Sequence, residues 1–140
     1  MNIFRYFLVW LLSFAFTSLI DAIWHLGIFK KAYSEGIKPL ARMSGDKMVI
    51  NPFAGILSQV LVVTCIVFLI LFKTQKVSYL EAALIGAIAG ILAITVYGLT
   101  NYALFKDWSL KLTVLEVIWG PILGASSGIF VVWIKSILII

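Results

Sequence analysis

Four residues near the end of the first apolar run have types and spacing that could do chemistry together. Thr17, Asp21, Trp24 and His25 recur at offsets of three and four, which puts them on one face of a helix. His25 is the only histidine in the chain. Two further sets stand far along the sequence: Glu116 with Trp119, and Tyr97 with Asn101. A carboxylate at mid-helix in lipid costs about 2.5–3.5 kcal/mol on insertion scales. Asp21 and Glu116 have no Lys or Arg at their depth, so they need compensation, and three forms are open. The acids can share one proton and titrate as a pair. They can accept hydrogen bonds from His25, Asn101, Tyr97 and the indole N–H of Trp24 or Trp119. They can hold a cationic or hydrogen-bond-donating ligand between two indole walls. A plainer role stands beside these, a polar core that staples helices at about 0.6 kcal/mol per interhelical bond. For His25 alone, a structural hydrogen bond is favoured over catalysis. A single histidine makes a poor metal set, although two carboxylates could hold a hard cation. No metal, no cofactor and no catalytic residue is assigned.

The composition says what must position these groups. Of 140 residues, 63% are hydrophobic and 12% charged, against about 45–50% and about 25% in soluble domains. Such a chain has too little polar surface to enclose a soluble core. It belongs in a bilayer, where every backbone group is paired within its own segment. Four apolar stretches reach spanning length, at residues 6–29, 51–72, 79–105 and 112–134. The expectation is one all-α domain over residues 1–140, an integral membrane bundle of four transmembrane helices. The tail from Lys135 can extend the last helix, with the lysine snorkelling to an interface. The first stretch follows Arg5 as a signal peptide would, but shows no clean small-residue cleavage site and reads as a retained helix. Trp10, Trp108 and Trp133 near span ends read as an interfacial belt.

Residues 30–50 form the longest linker, broken by Gly36, Pro39 and Gly45, and part of it suits a short amphipathic segment on the membrane. Residues 73–78 and 106–111 are tight hairpins, and Lys76, Tyr79 and Glu81 suit an interfacial helix start. The 11 Lys and Arg fall seven on the side of the first and third linkers and four on the other. The positive-inside rule then puts those two linkers in the cytoplasm and both termini outside. The net charge of +5 is used up at helix ends, which excludes a nucleic-acid role. Cys65 is the only cysteine, so no disulfide forms within the chain, and it reads as a small packing residue.

With this alternation of spans, Asp21, His25, Gln59, Tyr97, Thr100, Asn101, Glu116 and Trp119 all fall in one half of the bilayer. The other half is nearly apolar apart from Ser13 and Glu81. Small residues form two stripes, mostly at offset four: Ala82, Gly86, Gly90, Ala93, Tyr97 and Asn101, and Glu116, Gly120, Gly124 and Gly128. Gly-x-x-x-Gly stripes let helices approach closely in lipid, and the second carries Glu116 at its head. A faint internal echo links LIDAIW (19–24) with VLEVIW (114–119), as in inverted repeats whose sites lie at pseudo-symmetric positions.

The stretch VYGLTNYALFKDWSLKLTVLEVIWG (96–120) resembles the signature of a bacterial family of small four-span membrane proteins of unknown function. Tyr97, Leu99, Thr100, Asn101, Trp108, Thr113, Trp119 and Gly120 match its pattern, Glu116 stands at its acid, and Asp21 with Trp24 match its first-span Asp-x-x-Trp. Gly98 stands where the family has a third acid, and Ser109 where it has Pro. The resemblance implies four spans and site positions, and no activity. The residues argue for binding or transport of a small ligand, proton or cation in a pocket between spans one, three and four. There Asp21 and Glu116 handle charge, Trp24 and Trp119 form walls, and Tyr97 and Asn101 orient the ligand. The expected partners are membrane lipid and a small molecule. A rival reading is an accessory subunit of a larger membrane complex or a homo-oligomer, joined through the small-residue stripes. A third is a membrane-embedded lipid-modifying enzyme with His25 as acid–base.

Overall fold

The computed structural model describes residues 3–73 and 76–138, and they are almost entirely helical. Four helical runs are long and apolar enough to cross a membrane: Ile3–Ile28, Pro52–Leu71, Tyr79–Leu104 and Leu110–Leu138. Span one is helix α1 (Ile3–Ala22) continued by a π turn (Ile23–Ile28). Span two is α3 (Pro52–Leu71), after a short helix α2 (Lys30–Ile37) in the first linker. Span three is α4 (Tyr79–Gly90), a second π turn (Ile91–Thr95) and α5 (Val96–Leu104). Span four is α6 (Leu110–Leu138), four residues longer at its end than hydropathy suggests, with Lys135 in the last turn.

Polar residues set the helix starts. Asn51 caps α3, its Oδ1 accepting from Ala54 N at 3.2 Å, and Pro52 follows at a position that needs no N–H. Ser78 and Glu81 form a reciprocal capping box at α4, and Lys73 Nζ reaches Glu81 Oε1 at 2.8 Å. Ser109 Oγ accepts from Leu112 N at 3.4 Å where α6 begins. The expected hairpin at 73–78 has its middle, residues 74 and 75, outside the described residues.

The first linker is more structured than its glycines and proline suggest. Phe29, Tyr33 and Ile37 are spaced by four, and this face of α2 packs on Leu112 and Leu115 of α6 and on Trp24. A 3₁₀ turn (Lys38–Leu40) follows. A two-residue antiparallel hairpin, β1 (Met43–Ser44) with β2 (Lys47–Met48), closes at Gly45, whose φ of 58° suits glycine.

The tightest packing joins α4 to α6. A Cβ at Gly86 would collide with the Gly124 carbonyl, one at Gly90 with the Gly120 carbonyl, and one at Gly128 with the Ala82 carbonyl. The two small-residue stripes therefore face each other within one chain. Around them Val9, Val63, Ile66, Ile70 and Val131 complete a core at the end away from the first linker. Cys65, expected to pack inside, lies on the exposed face of α3, because Val63, Ile66 and Val67 take the inward positions.

Pro121 lies inside α6 and cannot donate to the Val117 carbonyl. Thr95 Oγ1 stands in, 3.5 Å from that carbonyl and 3.3 Å from the Glu116 carbonyl. Helix-breaking residues are tolerated in membranes through such substitute donors.

Candidate functional site

The site begins with the first π turn. There His25 Nδ1 lies 2.9 Å from the Asp21 carbonyl. The same nitrogen lies 3.1 Å from Asp21 Oδ1. Both neighbours are acceptors, so Nδ1 carries the proton and Nε2 faces the other way, 3.7 Å from Glu116 Oε1. The two acids do not touch; His25 stands between them.

Besides His25 on its own span, two other helices hold Asp21. Trp119 Nε1 of α6 donates to Oδ1 at 2.7 Å, and Gln59 Nε2 of α3 donates to Oδ2 at 2.6 Å. The Trp24 ring stacks on Trp119, centroids 4.3 Å apart and planes 7° apart. Trp24 Nε1 donates to the Tyr33 hydroxyl at 3.1 Å, and the Tyr33 ring lies 4.3 Å from His25. Burial, and then the Glu116 charge, pushes the Tyr33 phenol above its ordinary value, so it keeps its proton. Glu116 is 8% exposed, with His25 Nε2 3.7 Å from Oε1 and the Tyr33 hydroxyl also facing its carboxylate. A Cβ at Gly98 would lie 2.8 Å from Glu116 Cβ, so the glycine there lets the two helices close around that side chain.

These groups share one depth. Asp21, Gln59, Tyr97 and Glu116 each lie six or seven residues from the linker end of their spans. At 1.5 Å per residue that is about 10 Å below the helix ends. A cavity of about 470 Å³ opens at this level. Asp21, His25 and Glu116 line it, with Gln59 and Ser58 from α3, Tyr33 and Ile37 from α2, and Trp108 from the last linker. Among the described residues no group of three His, Cys, Asp or Glu side chains is arranged to hold a metal ion. Asp21 already spends both oxygens on neighbours.

Of the residues singled out in the sequence, Asp21, Trp24, His25, Glu116 and Trp119 form one connected cluster. Tyr97 and Asn101 make no hydrogen bond to it. The second π turn is the cause: it inserts an extra residue into the helical register. Thr95 at its end and Gly98 beyond it turn toward α6 in place of the expected stripe. Tyr97 is left 57% exposed at the cavity rim, its ring 5.9 Å edge-on from Trp108. Asn101 Nδ2 is buried without a partner among the described residues. Trp108 does not project to the interface; it folds inward to line the cavity, and its Nε1 is likewise buried and unpartnered. Gly86, Gly90, Gly120, Gly124 and Gly128 lie in the α4–α6 seam and outside the cavity lining.

Three participants were missed. Gln59 shares the depth of the acids, which is a signal, and it adds span two to the expected pocket of spans one, three and four. Tyr33 is betrayed only by the four-residue spacing of Phe29, Tyr33 and Ile37. Trp108 carries no signal separating an inward from an interfacial tryptophan. The internal echo is half realised: its two tryptophans stack, while only Asp21 receives an indole N–H.

The model of the family described as predicted membrane protein (DUF2177) matches residues 6–133. The chain belongs to this family. The matched stretch includes the residues from Asp21 to Trp119. No curated protein and no solved structure matches the chain.

Proposed function

We propose that this DUF2177 protein binds a small ligand, a cation or a hydrogen-bond donor, at the polar cavity within the membrane. The observation that carries the reading is the relay Asp21–His25–Glu116 on the wall of a cavity about 470 Å³ in volume. Asp21 is fixed by Gln59 and Trp119 and serves as the anchor. His25 donates to the anchor through Nδ1, and its Nε2 faces Glu116. A proton on Nε2 lies between imidazole and carboxylate, and a ligand that donates to Glu116 competes for that place. Ligand binding and proton release are thereby coupled at one side chain. Glu116, buried, faces only His25 Nε2 at 3.7 Å and the Tyr33 hydroxyl, and its two oxygens keep acceptor capacity for the ligand.

The accessory-subunit reading rested on the glycine stripes as partner surfaces. Those stripes are occupied within the chain, α4 against α6, so they supply no support for it.

The test is purification in native lipid, followed by mass spectrometry of co-purified small molecules. Wild type, Asp21→Asn and Glu116→Gln are compared, with equal thermal stability as the folding control. A species held by wild type and reduced at least tenfold in Glu116→Gln supports the proposal. Equal retention by all three contradicts it.

A further inference from the structure

The cavity does not end at its polar wall. Val62 of α3 and Ala93 of the second π turn line it, and the same two residues line a second hollow of about 330 Å³. That hollow runs between α3 and span three, along Leu61, Cys65 and Leu69 on one side and Ile88 and Leu92 on the other. Its walls carry no charged residue. From Leu61 to Leu69 it covers eight residues, about 12 Å along the helix axis. The cavity and the groove thus adjoin at Val62 and Ala93, the one polar at about 10 Å depth and the other apolar toward the middle of the bilayer. The helix arrangement explains the opening. Span two packs on α4 and draws away from the second half of span three, so the recess faces the lipid sideways.

Charge narrows the occupant. Asp21 and Glu116 line the polar part, and neither part is lined by a Lys or Arg. The polar part thus offers two carboxylates against a single imidazole. A phosphate head would be repelled, and an ammonium head would neutralise Glu116 and meet the faces of Tyr97 and Trp108.

We infer that the ligand of this site is a membrane amphiphile with an amine headgroup. The head enters beside Glu116, and one hydrocarbon chain lies in the groove between α3 and span three. Entry is lateral, from the lipid, through the gap between α3 and α5. This rests on the binding reading above and deepens it to a substrate class.

The test uses a dodecylamine probe with a diazirine at the chain end, photolysed with the protein in phosphatidylcholine nanodiscs. Labelled peptides are then located by mass spectrometry. The expected label falls within 61–69 and 88–92. Unlabelled dodecylamine competes for it, and dodecyl phosphate does not. Glu116→Gln weakens labelling at least tenfold. Ala93→Phe, which plugs the junction of cavity and groove, abolishes it, and Val62→Trp serves the same purpose should Ala93→Phe fail to fold. Label spread evenly over all lipid-facing helix surfaces overturns the inference. So does competition by butylamine as strong as by dodecylamine with Ala93→Phe silent; in that case the cavity binds amines without a chain and the binding reading survives. Labelling indifferent to every amine and to Glu116→Gln overturns both.

Discussion

Toward one end of the bundle, Gly86, Gly90, Gly120, Gly124 and Gly128 bring α4 and α6 into backbone contact. From the end of Ile91–Thr95 onward the same two spans carry Thr95, Gly98 and Glu116, and a cavity opens beside them. One pair of helices thus changes from a seam without side chains to a wall of polar ones. Lipid tails are as apolar as leucine, so close packing and hydrogen bonds have to hold the spans together. The seam supplies the first. Its rigidity allows the other end to leave space beside a buried acid.

The largest break in this comparison comes at the seam. Gly86→Leu drives a side chain into the Gly124 carbonyl, and the stability loss in denaturant titration falls at or above the top of the usual range of about 1–3 kcal/mol for overpacking. A loss under about 0.5 kcal/mol, the ordinary surface level, would mean the helices are not in backbone contact.

At the polar end the largest effect belongs to Asp21→Ala. It strands the donors of Gln59 and Trp119 and lowers stability by about 1–3 kcal/mol. Removing Trp119 as well, in a double-mutant cycle, recovers part of that loss. Strict additivity would deny the hydrogen bond.

Between the two regions Thr17 Oγ1 donates to Ser127 Oγ at 2.9 Å, and Ser127 Oγ to the Leu123 carbonyl at 2.7 Å. Thr17→Val keeps the shape and removes the first bond, and about 0.6 kcal/mol is expected. A change above about 2 kcal/mol would reveal a larger polar network joining seam and cavity.

The smallest effects sharpen the contrast. Gly55→Leu, the same exchange as at Gly86, meets nothing within 4 Å of the new Cβ and leaves stability within about 0.5 kcal/mol. Tyr97→Leu changes stability as little, since Tyr97 donates to no neighbour in the cluster. A large effect at Tyr97 would restore the unbroken α-helical stripe that the π turn interrupts.

The four spans were legible because hydropathy over about 20 residues depends on nothing but the bilayer. Helix starts were legible in part: Glu81 stands near its expected interfacial role as half of a capping box. The convergence of Asp21, His25 and Glu116 followed from counting residues down antiparallel spans. The fate of Tyr97 did not follow. A π turn moves every later residue around the helix, and neither Ile91 nor Thr95 announces one. Tyr33 and Trp108 were hidden for another reason. They come from linkers, whose path over the cavity depends on packing against Leu112 and Leu115 rather than on periodicity. Cys65 failed as a core residue because a span apolar all round does not tell lipid from protein.

The central claim is that His25 bridges two acids on different helices. His25 is the only histidine, so ¹⁵N-histidine labelling gives one imidazole, read by solid-state NMR in bilayers. The account predicts a hydrogen-bonded, protonated Nδ1 whose resonance moves in Asp21→Asn, and an Nε2 whose resonance moves in Glu116→Gln. An imidazole with the shifts and pH response of free histidine, unmoved by either substitution, would contradict it.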